Sequence, residues 1–201
     1  MEEIILNFLF ILIISIPGII YTERIYYPTL PFGEYKVKFK AVFQCDDKID
    51  YLIKTNVHLH RATKTKTEIR GNITMDVPFD DSIKLKFNMA ILDRIGGWKD
   101  NAYVFNTTNG CTTLKTFFRK EFWTSYTNNN NNTSVLECPV PSGFYEMDGL
   151  DLTLVQKLNI PKKFFYGTYK LYLYYTDEND TTIGCTVFVF EILRPWEVLA
   201  K

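Results

Sequence analysis

The sequence lacks the groups on which most enzymes depend. Its 201 residues include only two histidines, and they contain no G-x-S-x-G elbow, phosphate-binding loop, dinucleotide fingerprint or calcium-loop pattern. The four cysteines form no C-x-x-C pair of the kind that holds structural zinc. Because no nucleophile and base can be named together, we expect no catalytic residues, no metal and no cofactor.

The chain also has no excess of charge of either sign. It carries 23 Lys and Arg against 23 Asp and Glu, so its formal net charge at pH 7 is zero. A basic surface for nucleic acid is therefore not expected. His58 and His60 would share one face of a strand, as a metal pair requires, but no third ligand is apparent, and we interpret both as solvent-facing.

Aromatic side chains are abundant. Phe, Tyr and Trp make up 16% of the residues, whereas the hydrophobic (46%) and charged (23%) fractions are ordinary for a globular protein. This composition predicts one folded domain with a β-rich, aromatic-lined interior.

The first residues of the chain are typical of a secretory signal peptide. An apolar run over Ile4–Ile16 is interrupted by Pro17-Gly18, and it is short for a membrane span of about 20 residues. The n-region is acidic, so an uncleaved anchor is the competing interpretation. We predict a signal peptide at residues 1–20, a single domain at residues 21–201, and a secreted, extracellular protein.

Two further features fit an extracellular protein. An even number of cysteines in an oxidising compartment favours two disulfides, although the residues alone allow three pairings. Asn-x-Ser/Thr acceptor sites for glycans also exceed the number expected by chance. They begin at Asn72, Asn106, Asn131, Asn132 and Asn179.

Alternation of apolar and polar residues predicts most of the chain to be β-strand. Acidic turn residues separate the last two strands, which should form a hairpin. Because no helices alternate with the strands, the pattern favours an antiparallel two-sheet sandwich. The predicted strands are Tyr35–Cys45, Ile49–Leu59, Glu68–Val77, Ile83–Ile91, Tyr103–Phe105, Tyr169–Tyr175 and Ile183–Ile192.

One segment has helical spacing instead. After Cys111, apolar residues recur three and four positions apart, which predicts a short amphipathic helix that ends before the Asn128–Asn132 tract. The residues on its apolar face are Leu114, Phe117, Phe118 and Phe122.

Several short motifs follow one another in an order that resembles the MD-2-related lipid-recognition (ML) family over about Phe32 to Leu193. More narrowly, the chain is similar to the secreted arthropod branch that includes chemosensory proteins of the CheA/CheB type, which is related to the ganglioside activator. The motifs are an early strand cysteine, Cys111-Thr112-Thr113-Leu114, Cys138-Pro139 followed by Gly143-Phe144-Tyr145, Pro161 with Gly167-Thr168-Tyr169, and a late strand cysteine.

The resemblance implies an all-β, immunoglobulin-like sandwich whose sheets part around an apolar cavity, whereas dense packing is the default for a protein interior. It also implies disulfides that join Cys45 to Cys185 and Cys111 to Cys138. On that basis we predict that the cavity wall has Met75, Phe87, Met89 and Ile91 on one sheet, Leu171 and Leu173 on the other, and a helical lid of Leu114, Phe117, Phe118 and Phe122.

The function expected from these features is the binding or presentation of a small hydrophobic ligand, such as a lipid or hydrocarbon, with a role in chemosensation and a membrane receptor as a further partner. Two alternatives stay open. One is a ligand-free adhesion or receptor-accessory module that uses an outer face. The other is a hydrolase whose site involves His58 and His60.

Overall fold

The computed structural model describes residues 30–63, 66–118, 126–128 and 137–197. The folded domain lies within Pro31–Lys201, which forms a compact unit by itself. The predicted signal peptide at residues 1–20 lies outside the described ranges. So do Phe122 and two of the predicted glycan sites, Asn131 and Asn132.

Within these ranges the regular secondary structure is mostly β-strand, with one short α-helix and one 3-10 helix. No helix in them is long and apolar enough to cross a membrane. The strands are β1 (Phe32–Glu34), β2 (Lys36–Gln44), β3 (Ile53–Arg61), β4 (Thr67–Met75), β5 (Lys84–Asp93), β6 (Gly97–Thr107), β7 (Tyr126–Asn128), β8 (Gly143–Asp151), β9 (Lys163–Phe165), β10 (Gly167–Thr176) and β11 (Thr182–Leu193). The helices are α1 (Gly110–Phe117) and the 3-10 helix Leu152–Lys157.

Nine of the strands form one continuous hydrogen-bonded sheet, which folds into two layers. Layer one has the order β6-β5-β10-β11-β2, and layer two has the order β3-β4-β8-β7. A single parallel bridge between Gly184 and Ile53 joins them, and a Cβ on Gly184 would approach the Ile53 side chain to 2.8 Å, so glycine permits this close contact. Strands β1 and β9 pair separately as a short antiparallel ribbon. This arrangement confirms the predicted all-β, immunoglobulin-like sandwich.

Buried side chains from both layers pack together in one core. Leu85 and Leu173 come from layer one, whereas Ile69, Tyr145 and Met147 come from layer two, and all belong to one cluster. Because each strand points alternate side chains to one face, a shared cluster means that one face of layer one packs against one face of layer two.

Every strand predicted from the sequence is present, including the C-terminal hairpin of β10 and β11. Strand β6 extends well beyond Tyr103–Phe105, and β8 has no counterpart among the predicted strands. Its alternation is broken at Gly149, whose φ of +91° belongs to the left-handed region that favours glycine. A bulge in the β4–β8 pairing accompanies that break.

Both disulfides connect the cysteines that the family resemblance implies. Cys45 is bonded to Cys185, and Cys111 is bonded to Cys138, with Cα–Cα distances of 5.4 and 5.9 Å. The first ties the end of β2 to β11 within layer one. The second ties helix α1 to the segment that leads into β8.

Helix α1 begins and ends earlier than its apolar spacing predicts. The carboxylate of Asp81 accepts hydrogen bonds from the backbone N–H and the hydroxyl of Thr112, at 2.8 and 2.7 Å. The N–H of Gly110 donates to the carbonyl of Ile83 at 2.8 Å. These contacts fix the helix start at Gly110, and Phe118 already has an extended backbone. Phe117 is thus the last helical residue, and Phe118 follows the helix instead of belonging to it.

Candidate functional site

The strand register of layer one brings five of the predicted wall residues together on its inner face. In the pairing of β5 with β10, Phe87 lies opposite Leu173 and Met89 lies opposite Leu171. Ile91 continues the same face of β5 by one more alternation. Because directly paired residues of antiparallel strands point to the same side of a sheet, these five side chains form one continuous apolar surface.

The distribution of these residues between the sheets differs from the prediction. Leu171 and Leu173 share a layer with Phe87, Met89 and Ile91, because β10 is the hydrogen-bonded neighbour of β5. Met75 ends β4 and therefore belongs to layer two, where it lies opposite Ile53 of β3. The predicted assignment of the leucines to the second sheet is therefore wrong, and so is the grouping of Met75 with β5. Alternation reports the face of a strand but not its neighbour.

The apolar side chains on the inner face of layer one belong to two clusters, and the first of them also includes side chains of layer two. Met75, Phe87, Leu114 and Phe118 pack against the cluster that contains Leu173. Met89, Ile91 and Leu171 pack against a second cluster, which is centred on Tyr169, Phe190 and Ile192. Phe39 and Phe188 contact both clusters and so make the apolar interior continuous.

Helix α1 closes one part of this interior with aromatic rings. The ring of Phe117 packs edge-on against Phe87 at 6.2 Å and against Phe105 at 5.9 Å between centroids. Phe87 and Phe105 are themselves 5.7 Å apart. The three rings form a triangle, and we call them the Phe87/Phe105/Phe117 triad. Such tilted contacts are the favoured geometry for aromatic pairs.

Two aromatic residues on the inner face of layer one were not predicted as wall residues. Tyr103 of β6 lies opposite Met89, and its ring is 4.8 Å from that of Phe164 on β9. Phe188 lies opposite Leu171 on β11. The alternation of Tyr103 with Phe105, and of Phe188 with Phe190, is the sequence signal that could have identified them.

The inner face of layer one is only partly buried. Of the predicted wall residues on its strands, Leu173 is buried, with 6% of its surface exposed, whereas Phe87, Met89, Ile91 and Leu171 are half-buried. Residues on the inner face of a dry sandwich are normally buried by the opposing layer. These side chains therefore border accessible space.

Exposure increases toward the edge strand β6. Phe105 is 49% exposed and Tyr103 is 37% exposed, although both lie on the face that carries Phe87 and Met89. Layer one is therefore uncovered at this edge, where the aromatic rings of Tyr103 and Phe105 are exposed.

Few polar side chains of the described residues are buried, and the hydroxyl of Thr176 is one of them that has no hydrogen-bond partner. The hydroxyls of Thr55 and Thr186 are both buried and hydrogen-bonded to each other at 2.9 Å. Tyr169 is fully buried, and its hydroxyl donates to the carbonyl of Phe165 at 3.0 Å. Burial raises the pKa of Tyr169 to about 12, so this side chain stays neutral at physiological pH.

A separate pocket of about 380 Å³ lies at the β2–β3 connection, and none of the predicted wall residues lines it. It is open and mostly polar. Lys54 there forms ion pairs with Asp50 and Asp76 at 2.9 and 3.1 Å. Its lining is Gln44, Asp47, Lys48, Ile49, Asp50, Lys54, Thr55 and Asn56. This composition does not match an apolar ligand.

The two histidines do not form a site with other ligands. His58 and His60 are exposed on β3, as predicted. Within the described ranges, no three His, Cys, Asp or Glu side chains lie close enough to hold a metal ion. The remaining predicted glycan sites are accessible, with Asn106 and Asn179 exposed and Asn72 partly exposed.

Comparison with known protein families gives a match over most of the chain. The family model of the ML domain matches residues 39–192, about three quarters of the chain. A comparison with curated proteins found no match. The matched range includes both layers of the sandwich and both disulfides.

Proposed function

This chain belongs to the ML domain family, whose general function is lipid recognition, and on that premise we propose that it binds a small hydrophobic ligand between its two layers. The observation that carries the proposal is the half-burial of Phe87, Met89, Ile91 and Leu171 on an inward-facing surface. An apolar ligand would remove that surface from water, and each Å² so buried stabilises the complex by about 25 cal/mol.

The proposed ligand is predominantly apolar. The described interior offers aliphatic and aromatic groups, whereas its Thr55–Thr186 hydroxyl pair is mutually satisfied. A charged headgroup placed there would lose its hydration, and the single unpaired hydroxyl of Thr176 would replace only a small part of it. We therefore propose that the apolar part of the ligand lies between the layers and that any polar group remains near the uncovered edge at β6, beside Tyr103 and Phe105.

The nine wall residues in the described ranges divide into two roles under this proposal. The side chains of β5 and β10 form one side of the ligand site, and Met75 belongs to the other side. Phe117 of the Phe87/Phe105/Phe117 triad covers part of the site as a lid, together with Leu114 and Phe118. Phe122 is proposed as a further lid residue. The ligand makes no covalent bond in this scheme, and no catalytic group is required.

We also propose that the protein is secreted and glycosylated, and that it works in chemosensation as a carrier of a lipid or a cuticular hydrocarbon for a membrane receptor. The two disulfides support an oxidising compartment. The accessibility of Asn72, Asn106 and Asn179 supports the attachment of glycans.

Native mass spectrometry of the protein, purified from its source tissue or from a eukaryotic secretory host, tests the proposal. We expect an adduct that organic extraction removes and that chromatography identifies as apolar. A delipidated sample should then regain a fluorescent fatty-acid probe. Recovery without any apolar adduct from several sources, together with failure of the delipidated protein to take up the probe, would contradict ligand binding.

A further inference from the structure

The turn between β5 and β6 presents an isoleucine fully to solvent. Ile95 is 99% exposed, although its turn is well ordered by hydrogen bonds. One carboxylate oxygen of Asp93 accepts from the N–H of Ile95 at 2.9 Å and from the N–H of Gly96 at 3.0 Å. Gly97 has a φ of +70°, which a residue with a side chain rarely adopts. These hydrogen bonds support a turn whose apolar apex points outward.

Apolar residues flank this apex on both strands. Leu92 lies directly opposite Trp98 in the β5–β6 pairing, and they are 43% and 37% exposed. The ammonium group of Lys170 lies 4.4 Å from the centre of a Trp98 ring. A tryptophan with a cation over its ring combines an apolar body with a charged neighbour, as side chains at a membrane–water interface do.

A second exposed apolar pair lies at the same end of layer one. Phe32 of β1 and Phe165 of β9 have ring centroids 5.0 Å apart, and both are more than 40% exposed. Strand β10 starts immediately after β9, and its Tyr169 lies opposite Ile91. Because β5 and β10 are antiparallel, the start of β10 and the end of β5 lie at one end of the layer.

Charged residues accompany this apolar surface. Arg94 precedes the apex, Lys163 starts β9, and Lys99 forms an ion pair with Asp93 at 2.8 Å. Cations close to exposed apolar groups can contact lipid phosphates while the apolar groups enter the layer below. The cations near this end include Arg94, Lys99, Lys163 and Lys170, and the carboxylates include Glu34 and Asp93. Arg194 follows β11 at the same end and forms an ion pair with Glu197 at 2.9 Å.

We propose that this end of the sandwich, with the exposed residues Phe32, Leu92, Ile95, Trp98 and Phe165, docks on the surface of a phospholipid bilayer, with Ile95 inserted most deeply. We name these five residues the apolar end. The inference goes beyond ligand carriage, because membrane contact through these residues needs no cavity. Insertion is driven mainly by the apolar side chains, with a smaller attraction from the cations to anionic lipids.

Vesicle sedimentation tests the proposal with the full mature protein. Vesicles of phosphatidylcholine, with and without phosphatidylserine, serve as the probe. We expect the wild-type protein to sediment with both, and more strongly with phosphatidylserine at low salt. Ile95→Asp should lower the partition coefficient by about tenfold or more, since the loss of one buried aliphatic side chain and the added carboxylate both oppose insertion.

Val104→Asp is the matched control, because Val104 is an exposed apolar residue of β6 outside the apolar end. It should partition like the wild type. Circular dichroism and uptake of the soluble fatty-acid probe should be unchanged in both variants, which separates membrane docking from ligand binding.

Three outcomes would overturn the proposal. They are a wild-type protein that binds neither vesicle, an Ile95→Asp variant that binds as well as the wild type, and a Val104→Asp variant that is weakened equally. If light scattering instead shows a wild-type dimer that Ile95→Asp dissociates, without vesicle binding, then the apolar end is covered by a second copy of the chain.

Discussion

The substitution Leu171→Trp distinguishes an interior that has room for a ligand from one that is densely packed. Leu171 is half-buried on the inner face of β10, and a larger ring would fill the accessible space beside it. We expect Leu171→Trp to change the free energy of unfolding by less than about 1 kcal/mol, because the added atoms of the ring can extend toward the exposed side of this position. The same ring should reduce the affinity for an apolar ligand by about tenfold or more, since it occupies part of the proposed site.

Leu85→Trp is the matched control on the neighbouring strand β5. Leu85 has no exposed surface, and its side chain lies 3.3 Å from the position of a Cβ built on Gly110. The added ring must displace helix α1, so we expect a loss of about 1 to 3 kcal/mol or more, as is usual when a packed core is overfilled. This loss should be specific to Leu85.

Urea unfolding followed by far-ultraviolet circular dichroism gives both free energies, and titration with the fluorescent fatty-acid probe gives the affinities. The comparison is made on delipidated protein, because a bound ligand adds its own stabilisation. If Leu171→Trp destabilises the fold as much as Leu85→Trp does, the space at Leu171 is already filled, and the reasoning from half-burial fails.

Two further predictions concern stability. Replacing both cysteines of the Cys45–Cys185 bridge by alanine should lower the free energy of unfolding by about 5 kcal/mol, and replacing those of the Cys111–Cys138 bridge by about 3.5 kcal/mol. The first loss is larger because the bridges span 140 and 27 residues and the entropy of loop closure grows with length. Equal losses in urea unfolding would contradict this order. Hydrogen bonds from α1 lower the pKa of Asp81 below its ordinary value of 3.8. The contribution of Asp81 to stability is therefore present above pH 3.8 and is lost as the pH falls through the lowered pKa. The difference in the free energy of unfolding between the wild type and Asp81→Asn should shrink in acid, and a difference that grows there would refute the assignment.

The sequence by itself determined the strands and the fold class. Alternation in segments such as Tyr35–Cys45 and Ile83–Ile91 is a local property, because each strand must bury one face whatever its neighbours are. The weaker predictions came where local signals compete. Strand β8 is interrupted by Gly149, and the start of α1 is fixed by Asp81, which lies on a different part of the chain.

The tertiary structure decided which faces meet. Alternation assigned Met75 and Leu171 to apolar faces, but the pairing of β10 with β5 placed Leu171 beside Met89, and the pairing of β4 with β3 placed Met75 in the other layer. Neighbouring strands can be distant in the sequence, so no local pattern encodes their adjacency. The exposure of Ile95 was likewise decided by the tertiary structure. An apolar residue in a turn has the same local sequence whether another part of the chain covers it or leaves it exposed to solvent.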